Sequence, residues 1–237
     1  MKKLHYRELW CSSPRFWGGL AFLGFVILLG LAAAYYMEHN GHWVTGMNNQ
    51  VVWGLPHVFA IFLIVAASGA LNVASIGSVF GGPMYKPLGR FSGLLAIGLL
   101  AGGLIVLLLD LGRPERLIVA MTHYNFKSIF AWNIILYTGF FTIVGLYLWT
   151  MIDRKANRYY KVTGYAAFFW RLALTTGTGS IFGFLVAREA YDAAIMAPMF
   201  IIMSFSFGLA FFIITLISAY WWAGRPLGGL RLAKLKN

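Results

Sequence analysis

The chain has 237 residues, 60% of them hydrophobic and only 11% charged, where soluble domains carry roughly a quarter charged residues. That composition excludes an ordinary soluble enzyme and indicates an all-α integral membrane protein, because lipid offers no partner to an open sheet edge. The net charge of +12 is distributed by loop, which makes it a topological signal and excludes a nucleic-acid footprint.

Apolar stretches run in order over residues 17–37, 50–79, 91–111, 128–152, 164–187 and 195–223. Each is long enough to cross a hydrocarbon core roughly 30 Å thick, which predicts about six transmembrane helices. Six spaced spans are not the pattern of a cleavable signal. The loops on one side hold Lys2, Lys3, Arg7, Arg15, Lys86, Arg90, Arg154, Lys155, Arg158, Lys161, Arg225, Arg231, Lys234 and Lys236. The opposite loops hold only Arg113, Arg116, Lys127 and Arg188. An excess of 14 over 4 places both termini in the cytoplasm. The single cysteine, Cys11, falls in the cytoplasmic tail, where thiols stay reduced. One cysteine also excludes an iron–sulfur cluster within this chain, since clusters use four thiolates. No repeat or linker divides the sequence, so residues 1–237 read as one domain.

The second span predicts a polar stripe. At about 100° per residue, Gln50, Trp53, His57, Ser68, Asn72 and Ser75 fall within one sector, with His57 on the order of 10 Å below the outer surface. In the third span Asp110 is near the outer end and shares a face with Gly103 and Ser92, and Gly112 and Pro114 stop the helix. Asp110 and Arg113 are spaced to pair within one turn. Gly98 with Gly102, and Gly179 with Gly183, have the small-xxx-small spacing of close helix contacts. The fourth span opens on Trp132 and Asn133, with Tyr137 one turn on. The fifth aligns Arg171, Thr175, Thr178 and Glu189, with Arg188, Tyr191 and Asp192 at its outer end.

Ionisable groups in hydrocarbon are costly and tend to mark function. Each also has a structural reading. His57 and the hydroxyls serve equally as interhelical hydrogen-bonding groups, and Asp110 as a helix cap paired with Arg113. Trp53, Trp132 and Tyr191 suit an aromatic belt. Arg171, placed near the cytoplasmic end, suits snorkelling. The convergence of titratable and aromatic groups from several spans on one leaflet favours a functional cluster there.

Four segments in order carry a family resemblance: WVTGMNNQVVWGLPHVFAIF (43–62), LLLDLGRPERL (107–117), NFKSIFAWNIILY (125–137) and TGTGSIFGFLVAREAYDAAIMAPMF (176–200). The sequence resembles the NrfD family of polysulfide reductase-type membrane subunits, in particular the DsrP/HmeB-type subunits of DsrMKJOP-like complexes. The resemblance implies an NrfD-like four-helix bundle made of spans two to five. It also implies a chain that exchanges electrons and protons between a quinol, menaquinol by expectation, and an extracytoplasmic iron–sulfur partner within a respiratory complex. It implies no haem, metal or cluster in the chain itself. His57 and Asp110 are the expected catalytic groups, and Trp53, Asn133 and Arg188 join them as quinone-binding positions. Quinol oxidation releases two protons, and an imidazole, which titrates near neutrality in its ordinary state, suits their acceptance. The family is expected to have roughly eight to ten helices, so the basic tail from Arg225 to Asn237 is expected to lead into a further span of a longer chain.

Three other classes compete. A di-haem anchor requires paired axial histidines within helices, and only His57 lies clearly inside a span. A proton or small-solute transporter predicts midplane polar groups, for which Asn72, Ser75, Thr175 and Thr178 are the candidates. A purely structural anchor predicts no quinone binding.

Overall fold

The computed structural model describes residues 13–51, 53–185, 189 and 192–224. Among these the secondary structure is helical: α1 (Pro14–Asn40), α2 (Leu55–Ala70), α3 (Asn72–Ser78), α4 (Lys86–Leu109), α5 (Leu117–Thr122), α6 (Ile129–Ile152), α7 (Tyr160–Gly183) and α8 (Met196–Trp222). Five rods, with α2 and α3 counted as one, are long and apolar enough to cross a membrane. The sixth, α7, has similar length at 24 residues but carries Lys161, Arg171 and four threonines. The chain is a multi-pass integral membrane protein, and the predicted spans correspond to these rods.

The chain divides into two compact units, residues 55–210 and residues 1–54 with 211–237. In the second of these, Ser13 caps α1 by accepting from the Phe16 N–H at 3.2 Å and donates to the Trp222 carbonyl at 2.5 Å. A side-chain oxygen at this position satisfies a donor that the first helical turn leaves open. Apart from Met37, α1 buries no residue, as expected of an apolar helix whose solvent is lipid.

The unit 55–210 is built on a four-helix bundle in which the α2/α3 rod packs on α4 and α7, and α6 packs on α4 and α7. This is the bundle of spans two to five that the resemblance implies. Small residues set the approaches, because apolar burial gives helices in lipid little reason to associate and close packing must replace it. A Cβ on Gly103 would meet the Ala60 carbonyl of α2 at 3.0 Å, and one on Gly179 would meet the Met196 carbonyl at 2.8 Å. Gly69 of α2 lies against the backbone of Ser204 and Gly208 in α8. Gly179 and Gly183 thus fulfil their predicted packing role, whereas Gly98 has open space beside it. In α4, Gly93 and Gly103 make the close contacts instead.

The α2/α3 rod is broken at Leu71 in mid-bundle. Ser92 of α4 spans the break: its hydroxyl donates to the Ala70 carbonyl at 2.7 Å and accepts from the Ala74 N–H at 3.1 Å. A break within lipid persists only where such partners replace the lost helical bonds. Beyond it, Tyr147 donates to Ser78 at 2.8 Å and stacks on Tyr160. These contacts fix the far end of the bundle and leave the opposite end to the ionisable groups.

Candidate functional site

That opposite end comprises the first turn of α2, the last turn of α4, the first turn of α6 and the last turn of α7. Leu55 and Pro56 open α2, proline being suited to a first turn where its missing N–H has no role. His57 is therefore in the first turn of a helix that starts five residues after the predicted span does. Gln50 and Trp53 precede the helix in non-helical chain, so the predicted stripe holds only from His57 onward.

Asp110 immediately follows the last residue of α4, its N–H bonded to the Leu107 carbonyl. A carboxylate at a helix C-terminus lies in the unfavourable end of the helix dipole. Two features offset this. The N-terminal turn of α2 presents its partial positive charge nearby, and His57 Nδ1 is paired with Asp110 Oδ2. The Asp110 side chain is 1% exposed and that of His57 is 18% exposed. The ion pair of Asp110 is thus made across two helices with His57, not within its own turn with Arg113. With a proton on Nδ1 held by the carboxylate, Nε2 is the basic nitrogen of the ring.

Asn133, buried in the first turn of α6, donates through Nδ2 to the Ile129 carbonyl at 2.9 Å and to the Gly177 carbonyl at 3.2 Å. Two acceptors on one side fix the orientation of the amide and leave Oδ1 as its free face. Asn133 Oδ1 and Asp110 Oδ1 are buried oxygens without a hydrogen-bond partner among the described residues. One turn deeper lie Tyr137 and Thr178, whose hydroxyl donates to the Leu174 carbonyl at 3.0 Å. Trp132 is 48% exposed and donates to the Phe126 carbonyl at 3.0 Å, which suits the interfacial role of an amphipathic ring. Arg188 and Tyr191 lie outside the described residues.

Deeper still, Ser68 donates to the Arg171 carbonyl at 3.1 Å, and the Thr175 hydroxyl lies 2.6 Å from Ser68 Oγ and 2.8 Å from the same carbonyl. Thr175 and Thr178 thus share the buried face with Arg171, as their spacing predicts. Arg171 itself departs from expectation: it is fully buried near the middle of α7 and does not snorkel toward a helix end. The helix begins at Tyr160, a turn before the predicted span, because Lys161 in the basic loop conceals its start. Ser92 as a bridge across the α2 break is also missed by the sequence reading. An interior serine facing a Pro-free break leaves no local pattern.

The pair His57–Asp110 with Asn133 provides a base, a carboxylate and open acceptors in a buried setting. Such a set can take up protons from a hydroxyl donor and orient it. The chain has relatives among known proteins. The profile of the family described as Polysulphide reductase, NrfD matches residues 43–225. The chain is similar to the Hdr-like menaquinol oxidoreductase integral membrane subunit of Archaeoglobus fulgidus, at 28% identity over 94% of this chain and 56% of the relative. It is similar to a candidate membrane subunit of dimethyl sulfoxide reductase from Halobacterium salinarum, at 27% identity over 85% of this chain and 51% of the relative. It is also similar to a selenate reductase subunit of Mesobacillus selenatarsenatis, at 21% identity over 79% of this chain and 53% of the relative. The chain spans about half the length of these curated relatives. No solved structure matches it.

Proposed function

The chain belongs to the polysulphide reductase NrfD family, and on that premise we propose that it is the quinone-reactive membrane subunit of a respiratory electron-transfer complex. Its substrate is menaquinol, consistent with the name of the Archaeoglobus relative. Its redox partner is an extracytoplasmic iron–sulfur protein. The site lies toward the outer leaflet of a bacterial or archaeal cytoplasmic membrane, with both termini cytoplasmic, in line with the loop charges.

The observation that carries this reading is the buried His57–Asp110 pair, drawn from two helices to one end of the bundle. Oxidation of a quinol to a quinone releases two protons and two electrons, and the electrons pass to the iron–sulfur partner. His57 Nε2 accepts a hydroxyl proton, and Asp110 stabilises the imidazolium that forms. The second proton leaves toward the adjacent aqueous face. Among the described residues Asp110 Oδ1 and Asn133 Oδ1 have no donor, and a quinol ring, unlike a quinone, brings hydroxyl donors that suit them. Arg188 is assigned to holding the substituents of the ring. By microscopic reversibility the same groups return protons when quinone is reduced.

The test is titration of a fluorescent quinol analogue into the purified complex, repeated with His57→Ala and Asp110→Asn. The reading expects affinity or turnover to fall by about tenfold or more in each. Wild-type values in both variants would remove the assignment.

A further inference from the structure

The end of the bundle opposite His57 has a surface that the quinone chemistry does not use. There the last turn of α3 lies directly on α7. A Cβ on Gly164 would meet Ser78 Oγ at 2.6 Å, the Tyr165 hydroxyl is 3.5 Å from the Val79 carbonyl, and the Phe80 and Phe168 rings meet edge to face with centroids 5.7 Å apart. The start of α4 joins them. A Cβ on Gly77 would lie 3.3 Å from the Lys86 nitrogen and 3.5 Å from the Tyr160 hydroxyl, so the first residues of α4 and α7 flank the same turn of α3.

Chain direction puts cations on this rim. Lys86 opens α4, Lys161 is the second residue of α7, and Arg158 is in the 3-10 turn Ala156–Tyr159 that precedes it. All three are exposed, and none forms an ion pair with an acidic side chain among the described residues. Asp153, the single acid within residues 79–90 and 149–169, accepts instead from the Lys155 N–H at 2.9 Å. Just inside the rim the exposed side chains are apolar. Val162, Tyr165 and Phe169 succeed one another on one face of α7 at spacings of three and four residues and are 45–67% exposed. Phe80, also exposed, borders this stripe through its contact with Phe168, whose ring meets that of Phe169. At 1.5 Å per residue Phe169 is on the order of 12 Å deeper than Lys161.

Membrane orientation requires loop cations but no particular surface beneath them. A cationic rim above an exposed aromatic and aliphatic stripe is more specific, because it matches a ligand with a phosphate at the membrane surface and a chain in the hydrocarbon. An acidic protein would meet the cations and leave the stripe uncovered. We infer that this surface binds an anionic phospholipid, its headgroup phosphate at Lys86, Arg158 and Lys161 and a hydrocarbon chain along Val162, Tyr165 and Phe169. By bridging α4 and α7 the lipid holds α3, the half of the rod beyond the break at Leu71, in the bundle.

The test is native mass spectrometry of the detergent-purified full chain titrated with dioleoyl phosphatidylglycerol, and in parallel with dioleoyl phosphatidylcholine. Wild-type protein is expected to bind the anionic lipid about tenfold more tightly. A Lys86→Gln, Lys161→Gln double variant loses about tenfold in that affinity, whereas Arg116→Gln with Lys127→Gln, the same change of charge at the other end of the bundle, leaves it unchanged. Glycerophosphoglycerol, the headgroup without chains, does not compete. Thermal unfolding reports whether each variant is folded, and Arg158→Gln replaces the double variant if that one is not. Equal affinity for the two lipids, equal losses in the two double variants, or full competition by the headgroup alone would overturn the inference. Tight binding of polyglutamate without a preference between the lipids would likewise overturn it, in favour of an acidic protein partner.

Discussion

The two buried polar regions of the bundle differ in what they lack. At the His57 end, the charges are paired and the orphaned atoms are oxygens, Asp110 Oδ1 and Asn133 Oδ1. At mid-bundle the orphaned atoms among the described residues are donors, the guanidinium nitrogens of Arg171 and the amide nitrogen of Asn72. Water satisfies such atoms indiscriminately at a surface, but hydrocarbon does not, and each orphan there specifies the polarity of its missing partner. One end therefore suits hydrogen-bond donors and the other acceptors. Within one bundle, the unmet hydrogen-bonding capacity thus has opposite sign in the two regions.

The difference is sharpest under substitution at Asp110. Asp110→Leu removes the carboxylate that holds Nδ1, and quinol-dependent turnover is expected to fall by about two to four orders of magnitude, measured in the reconstituted complex. A smaller effect is expected at the break between the two regions. Ser92→Ala strips the Ala70 carbonyl and the Ala74 N–H of their partner, at a cost of about 1–3 kcal/mol for each buried group left unpaired. Thermal unfolding in detergent should show the loss. Within α4, Gly103→Ala should destabilise by about 1–3 kcal/mol, because its Cβ meets the Ala60 carbonyl. The smallest effect is expected five residues earlier. Gly98→Ala has open space and should be neutral or stabilising by up to about 1 kcal/mol in the same assay. Equal outcomes for the two glycines would show that α4 does not use Gly103 for its approach to α2.

Much of this was legible in the sequence. Apolar run length predicts the rods, since a span must match the bilayer, and His57, Asp110 and Asn133 stand out as polar groups in apolar surroundings. Their meeting at one end follows from helix direction. The pairing of Asp110 with His57 in place of Arg113 does not, because spacing reports neighbours along one helix and not across two. The start of α2 has a readable signal in Pro56, which separates Gln50 and Trp53 from the helical stripe. The depth of Arg171 was obscured because α7 begins among basic loop residues, where composition and helix extent disagree. The break at Leu71 has neither proline nor glycine at its pivot, and only the hydroxyl of Ser92 on another helix accounts for it.

The central claim is that His57 and Asp110 act on quinol as one unit. A double-mutant cycle on quinol-analogue affinity, using His57→Gln, Asp110→Asn and the combined variant, tests it most directly. The account predicts that each single change weakens binding and that the double variant is little worse than the weaker single, a coupling well above about 0.5 kcal/mol. Strictly additive losses, or affinities equal to wild type throughout, would contradict it.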